Sequence, residues 1–77
     1  MNIPIKYFGL IAEITQCENE TIDFSEASLK ELLSHLYLKY PKLKDQEFQV
    51  AQDQELISSE TKLTGKELAL LPPFAGG

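Results

Sequence analysis

Ser28-Leu29-Lys30-Glu31-Leu32-Leu33-Ser34-His35-Leu36-Tyr37-Leu38-Lys39-Tyr40-Pro41 carries the clearest periodic signal in the chain. Leu29, Leu32, Leu33, Leu36, Tyr37 and Tyr40 recur at helical spacing, so all six fall on one stripe of an amphipathic helix. Lys30, Ser34 and Lys39 fall on the other side. Ser28 and Glu31 have the spacing of a capping box, in which each side chain serves an orphan amide at the helix start. Pro41 ends the helix, because the residue before a proline is pushed out of the α region. The result is a rod of about 18 Å with one apolar stripe. That stripe is core packing, and a single such helix needs a sheet to cover.

Sheet signals lie on both sides of it. Ile3, Ile5 and Tyr7 alternate with Pro4, Lys6 and Phe8, which is strand periodicity. Gly9 and Leu10-Ile11-Ala12-Glu13-Ile14 break the alternation and predict a turn or a short helical segment. Thr15 to Asn19 reads as a loop, and Glu20-Thr21-Ile22-Asp23-Phe24 as a second strand that pairs with the first as a hairpin. Beyond the helix, Lys42 to Glu47 reads as a charged turn. Phe48 to Gln52 alternates again, Asp53-Gln54 reads as a tight turn, and Glu55-Leu56-Ile57 as a short return strand. Glu67-Leu68-Ala69-Leu70-Leu71 is the last strand, apolar on both faces, as in the middle of a sheet. The order is β, β, α, then two or three β, without repeats, linkers or low-complexity segments. The fold class is α+β: one domain spanning 1–77, a mixed sheet of four to five strands, and one main helix on one face.

Bulk properties exclude several functions. A chain of 77 residues buries little more than about 60% of its unfolded surface. Seven basic against twelve acidic residues give a net charge of −5, which repels a phosphate backbone and argues against nucleic acid as partner. No apolar run approaches the ~20 residues that span a bilayer, and Met1 to Lys6 lacks the layout of a signal peptide. The expectation is a cytoplasmic protein without a membrane partner. Cys17 is the sole cysteine, which fits a reducing compartment. Glu18 and Glu20 beside it make a poor setting for a nucleophilic thiolate. His35 is the only histidine and reads as a boundary residue. No Cys/His cluster suggests a metal site, no G-x-S-x-G elbow is present, and Gly65-Lys66 lacks the upstream glycine of a phosphate loop. The chain carries almost nothing that would serve as its own active site.

The other strong signal is Leu71-Pro72-Pro73-Phe74-Ala75-Gly76-Gly77. Two of the four glycines stand here, after a proline pair that stops an apolar strand. This predicts a buried strand, a stiff exit and a slim, flexible tail over 73–77. Glycine has no Cβ, so its backbone passes narrow openings, while each proline fixes φ near about −65°. Five residues from Pro73 reach about 16 Å when extended.

Together these stretches resemble the MoaD-type sulfur carriers, the small subunits of molybdopterin synthase, within the MoaD/ThiS family of ubiquitin-like β-grasp domains. The matching residues are Lys6-Tyr7-Phe8-Gly9-Leu10-Ile11-Ala12-Glu13, the capped helix Ser28 to Leu36, the strand-turn-strand Gln49 to Leu56, and Leu63-Thr64-Gly65-Lys66-Glu67 with one residue fewer. The terminal Pro-Pro-x-x-Gly-Gly is the most specific match. Departures are Gln52 where Asn is frequent and Lys62 where Pro is common; both concern loop geometry.

The resemblance implies that an ATP-using MoeB-type adenylyltransferase activates Gly77. Sulfur then displaces AMP to give a thiocarboxylate. The loaded tail (Pro72, Pro73, Phe74, Ala75, Gly76, Gly77) would enter a MoaE-type large subunit and give its sulfur to cyclic pyranopterin monophosphate, in a heterotetramer. It also implies Phe8, Leu56 and Leu71 as partner contacts, with no bound cofactor and no metal. Three alternatives stay open: a sulfur carrier for thiazole or tRNA thiolation, a protein modifier conjugated through Gly77, and a β-grasp binding module without covalent chemistry.

Overall fold

The computed structural model describes residues 1–25 and 28–73. Its elements in chain order are β1 (Asn2–Tyr7), α1 (Leu10–Thr15), β2 (Asn19–Asp23), α2 (Leu29–Lys39), a 3₁₀ helix (Pro41–Asp45), β3 (Gln49–Gln52), β4 (Glu55–Leu56) and β5 (Leu68–Leu71). The five strands form one mixed sheet in the order β2-β1-β5-β3-β4. β1 and β2 make the expected antiparallel hairpin, with Ile3 opposite Ile22, and α1 fills its connection. β5 enters the centre, parallel to β1 and antiparallel to β3. This is the mixed sheet with one main helix, the ubiquitin-like β-grasp, that the chain predicts.

The register explains which residues are buried. Ile3, Ile5 and Tyr7 of β1, Leu68 and Leu70 of β5 and Val50 of β3 meet Leu29, Leu32 and Leu36 of α2 in one core. Leu33, Tyr37 and Tyr40, on the shoulder of the same stripe, are half-buried against it. At the start of α2 the Glu31 N–H donates to Ser28 Oγ at 3.4 Å, and the Ser28 hydroxyl donates to Glu31 Oε1 at 2.8 Å. The serine therefore caps the helix while its own proton tethers the glutamate.

The stretch from Lys42 to Glu47 differs from the expected turn. It opens as a 3₁₀ helix at Pro41, a residue whose missing N–H is no loss at a helix start. The tighter coil turns Leu43 completely into the core while the charged neighbours stay in water. The last strand begins at Leu68, one residue later than predicted, although the Asp53 N–H still donates to the Glu67 carbonyl at 3.0 Å, one step beyond the Gln52–Leu68 pair.

Glu20 fastens the far end of α2 to the sheet. Its Oε2 accepts from the Tyr7 hydroxyl at 2.5 Å and from the Tyr40 hydroxyl at 2.6 Å, and its Oε1 pairs with Lys39 Nζ at 2.6 Å. Burial pushes the Glu20 carboxyl upward, but the bonds from Lys39, Tyr40 and Tyr7 outweigh it and hold the group below its ordinary range. Burial, and then the bond to Glu20, raises the phenols of Tyr7 and Tyr40 above theirs.

Candidate functional site

A strand hidden on both faces has no surface to offer, and β5 is covered on one face only. Leu68 and Leu70 point into the core, whereas Ala69 and Leu71 are half-buried on the other face. Pairing places Lys6, Ala69, Ala51 and Leu56 in one row across that bare face, with Leu71 beside Gln49. Ala51 and Ala69 make a low floor. Phe8 follows β1 directly, and its N–H donates to the Leu70 carbonyl at 3.1 Å, extending the ladder by one residue. Phe8 is 43% exposed and Leu56 63%, high values for side chains that gain by burial. Phe8 and Leu71 thus lie on the face away from α2, while Leu56 belongs to the same row but also borders α2 at the sheet edge. Phe8 and Leu71 are on adjoining strands, and Leu56 lies at the β4 edge. Two ion pairs flank the row, Lys6 with Glu67 at 3.5 Å and Lys66 with Asp53 at 4.0 Å.

The tail begins where β5 ends, directly after Leu71. Pro72 and Pro73 are half-buried. Pro72 lies over Gly9, which sits at φ +58° and ψ −134° where β1 gives way to α1. Pro73 reaches the end of a groove between α2 and the β3–β4 edge, lined also by Leu33, Tyr37, Phe48, Leu56 and Ile57. Phe74, Ala75, Gly76 and Gly77, the rest of the expected tail, lie outside the described residues.

The other chemistry-bearing residues stay apart. Cys17 is half-buried with its Sγ 3.7 Å from Thr15 Oγ1, and the exposed His35 packs its ring against Phe24 at 5.6 Å between centroids. Among the described residues no group of three His, Cys, Asp or Glu side chains is placed to hold a metal ion. None of their helices is long and apolar enough to cross a membrane. Two features escaped sequence reasoning. One is the Gly9–Pro72 contact, whose only signal was a glycine directly after the aromatic pair. The other is the Glu20 cluster, whose members are far apart in the chain.

A sheet with one face sealed by a helix, one bare apolar face and a tail springing from its central strand defines a small β-grasp domain of the ubiquitin-like kind. A model described as the ThiS family matches residues 5–77. The chain therefore belongs to the ThiS family, and it is a sulfur carrier of the ThiS/MoaD type.

Solved structures share the fold. A chain described as molybdopterin converting factor, subunit 1, from Pyrococcus furiosus superposes with a TM-score of 0.88 at 18% identity, over 95% of this chain and 98% of its own. SAMP1 from Haloferax volcanii gives 0.80 at 26% identity over the whole of both chains. A chain from the protein–protein complex of subunit 1 and 2 of molybdopterin-converting factor from Helicobacter pylori 26695 gives 0.70 at 30%, again over the whole of both.

Proposed function

We propose that the chain is the sulfur-donating small subunit of molybdopterin synthase, working in the cytoplasm as a single domain of residues 1–77. One observation carries the reading: the bare apolar face and the tail share a strand. Leu71 belongs to the face, and the next residue is Pro72. A partner that docks on Phe8, Leu56 and Leu71 therefore receives the tail at a fixed place. The likeness to a chain of the two-subunit complex from Helicobacter pylori, 30% identical over both full lengths, supports this choice of pathway.

The chemistry follows from the end of the tail. A carboxylate is a poor electrophile. Attack of the Gly77 carboxylate on the α-phosphate of ATP, in a MoeB-type partner, releases pyrophosphate and leaves an acyl-adenylate. Sulfide-level sulfur (HS⁻) then attacks the acyl carbon and AMP leaves with the bonding pair, which gives the thiocarboxylate and a proton. Gly77 leaves the reacting carbonyl uncrowded, and Gly76 lets the chain thread a channel. Pro72 and Pro73 reduce the freedom lost on threading. In a MoaE-type large subunit the sulfur passes to cyclic pyranopterin monophosphate, and ATP is used by the activating partner alone.

The test is intact mass after incubation with ATP, a MoeB-type enzyme and a sulfur donor. We expect a gain of one sulfur for one oxygen, lost when Gly77 is removed; no gain with an enzyme proven on another carrier would reject the reading. A second reading, a modifier conjugated through Gly77, draws on the likeness to SAMP1 at 26% identity over both chains. It predicts adducts on lysines of other proteins, visible as a ladder with a tagged chain.

A further inference from the structure

Gly9 stands where the first strand turns into α1, and its surroundings are unusual. Its φ of +58° with ψ of −134° is backbone that L residues with a Cβ rarely adopt. The carbonyl of Gly9 accepts from Ala12 N–H at 3.1 Å, which starts α1, while the preceding Phe8 N–H is held by Leu70 at 3.1 Å. The position is thus clamped on both sides. Directly above it lies the ring of Pro72: a Cβ built on Gly9 would stand 2.9 Å from Pro72 Cγ, closer than real Cβ atoms come. The absent side chain is what lets the ring settle there.

We infer that Gly9 is a positioning residue for the tail: it forms the seat for Pro72 and so sets the direction in which the chain leaves the sheet at Pro73. This rests on the carrier reading above. Direction matters because Pro72 and Pro73 are the stiff root from which the tail is presented. A displacement of 1 Å can cost about a hundredfold in rate when reacting groups must be aligned. The Gly9 seat lies beside the docking face but is distinct from the side chains that would bind there. Its loss should therefore spoil delivery of the tail and spare docking.

The experiment is ATP–pyrophosphate exchange by a MoeB-type enzyme, with the full chain as substrate. For Gly9→Val we expect KM within about twofold and kcat lowered about tenfold or more, whereas Phe8→Ala should raise KM. Pro72→Ala removes the ring that occupies the seat, so it should lower kcat in the same sense, and adding it to Gly9→Val should cost little more; unrelated damage to the fold would add instead. Thermal melts and NOEs across the sheet check folding, and Gly9→Ala serves as a gentler variant should valine prevent it. NOEs from Gly9 Hα to Pro72 Hγ in the free chain test the seat without any enzyme.

Wild-type kcat in both Gly9 variants, a KM effect like that of Phe8→Ala, fully additive losses in the double variant, or missing Gly9–Pro72 NOEs would each overturn the inference. If the NOEs are present but the wild-type chain supports no exchange with an enzyme proven on another carrier, the carrier reading falls and takes the inference with it.

Discussion

Glu20 shows how much one side chain can gather. Three donors converge on its carboxylate from β1, the end of α2 and the residue that follows it. Because its folded pKa lies below the ordinary 4.5, its contribution is present above that value and lost as pH falls through the depressed one. The phenols work in the opposite sense. Raised from 10.0, they contribute fully below that pH, and their contribution is lost as pH rises beyond it. A plot of melting temperature against pH should therefore fall at both extremes, and Glu20→Gln should flatten the acid limb. Glu20→Ala should cost about 1–3 kcal/mol in urea unfolding, since two phenol donors lose their acceptor. None of this was legible in the chain. Glu20 and Tyr40 stand twenty residues apart, and strand alternation assigns Glu20 a face but no partners. Gly9 was hidden for the same reason, because its meaning depends on a proline at the opposite end of the sequence.

Elements were easier to read, in proportion to their periodicity. α2 was legible almost to the residue because six apolar positions, a cap and a terminating proline agree. β4 was harder, since two paired residues carry no period. The Lys42–Glu47 stretch misled because its charges resemble those of a turn, while a single Leu43 decides its geometry. The β3–β4 turn was correctly placed, but its conformation was not: Asp53 and Gln54 take φ of +52° and +71°. Two successive positive φ values belong to a tight hairpin turn that favours Asn-Gly or Asp-Gly. Gln54→Gly gives that sequence and should stabilise the domain by about 0.5–1 kcal/mol, measured as a higher urea midpoint at unchanged slope. A lower midpoint would mean that the Gln54 side chain contributes more than its backbone costs.

At the scale of the molecule, the proposed docking face and the core lie on opposite sides of the same sheet. The core lies under α2, whereas Phe8 is 43% and Leu56 63% exposed, so truncating them removes less from the folded state than truncating a core residue. Phe8→Ala and Leu56→Ala should weaken binding to a MoaE-type subunit by about 2 kcal/mol or more where they are central, seen by calorimetry, while the melting temperature barely moves. A melting temperature lowered as far as binding is weakened would instead make them part of a local core. Removing Gly76 and Gly77 should leave both binding and melting nearly unchanged and abolish sulfur loading. This division was legible in advance because the last strand is apolar on both sides, and a strand needs only one side to fold. What the chain did not reveal is the order of the strands, which depends on pairings between distant segments.

That order has a mechanical consequence. β5 is bonded along its length to β1 on one side and to β3 on the other, and its last residue, Leu71, leads directly into Pro72. A pull along the axis of β5 therefore loads both ladders in shear, all rungs together, instead of peeling them one by one. Shear is the direction in which a sheet resists force best. A partner that draws the tail into a narrow channel, and later lets it go, can tug on this domain without unravelling it.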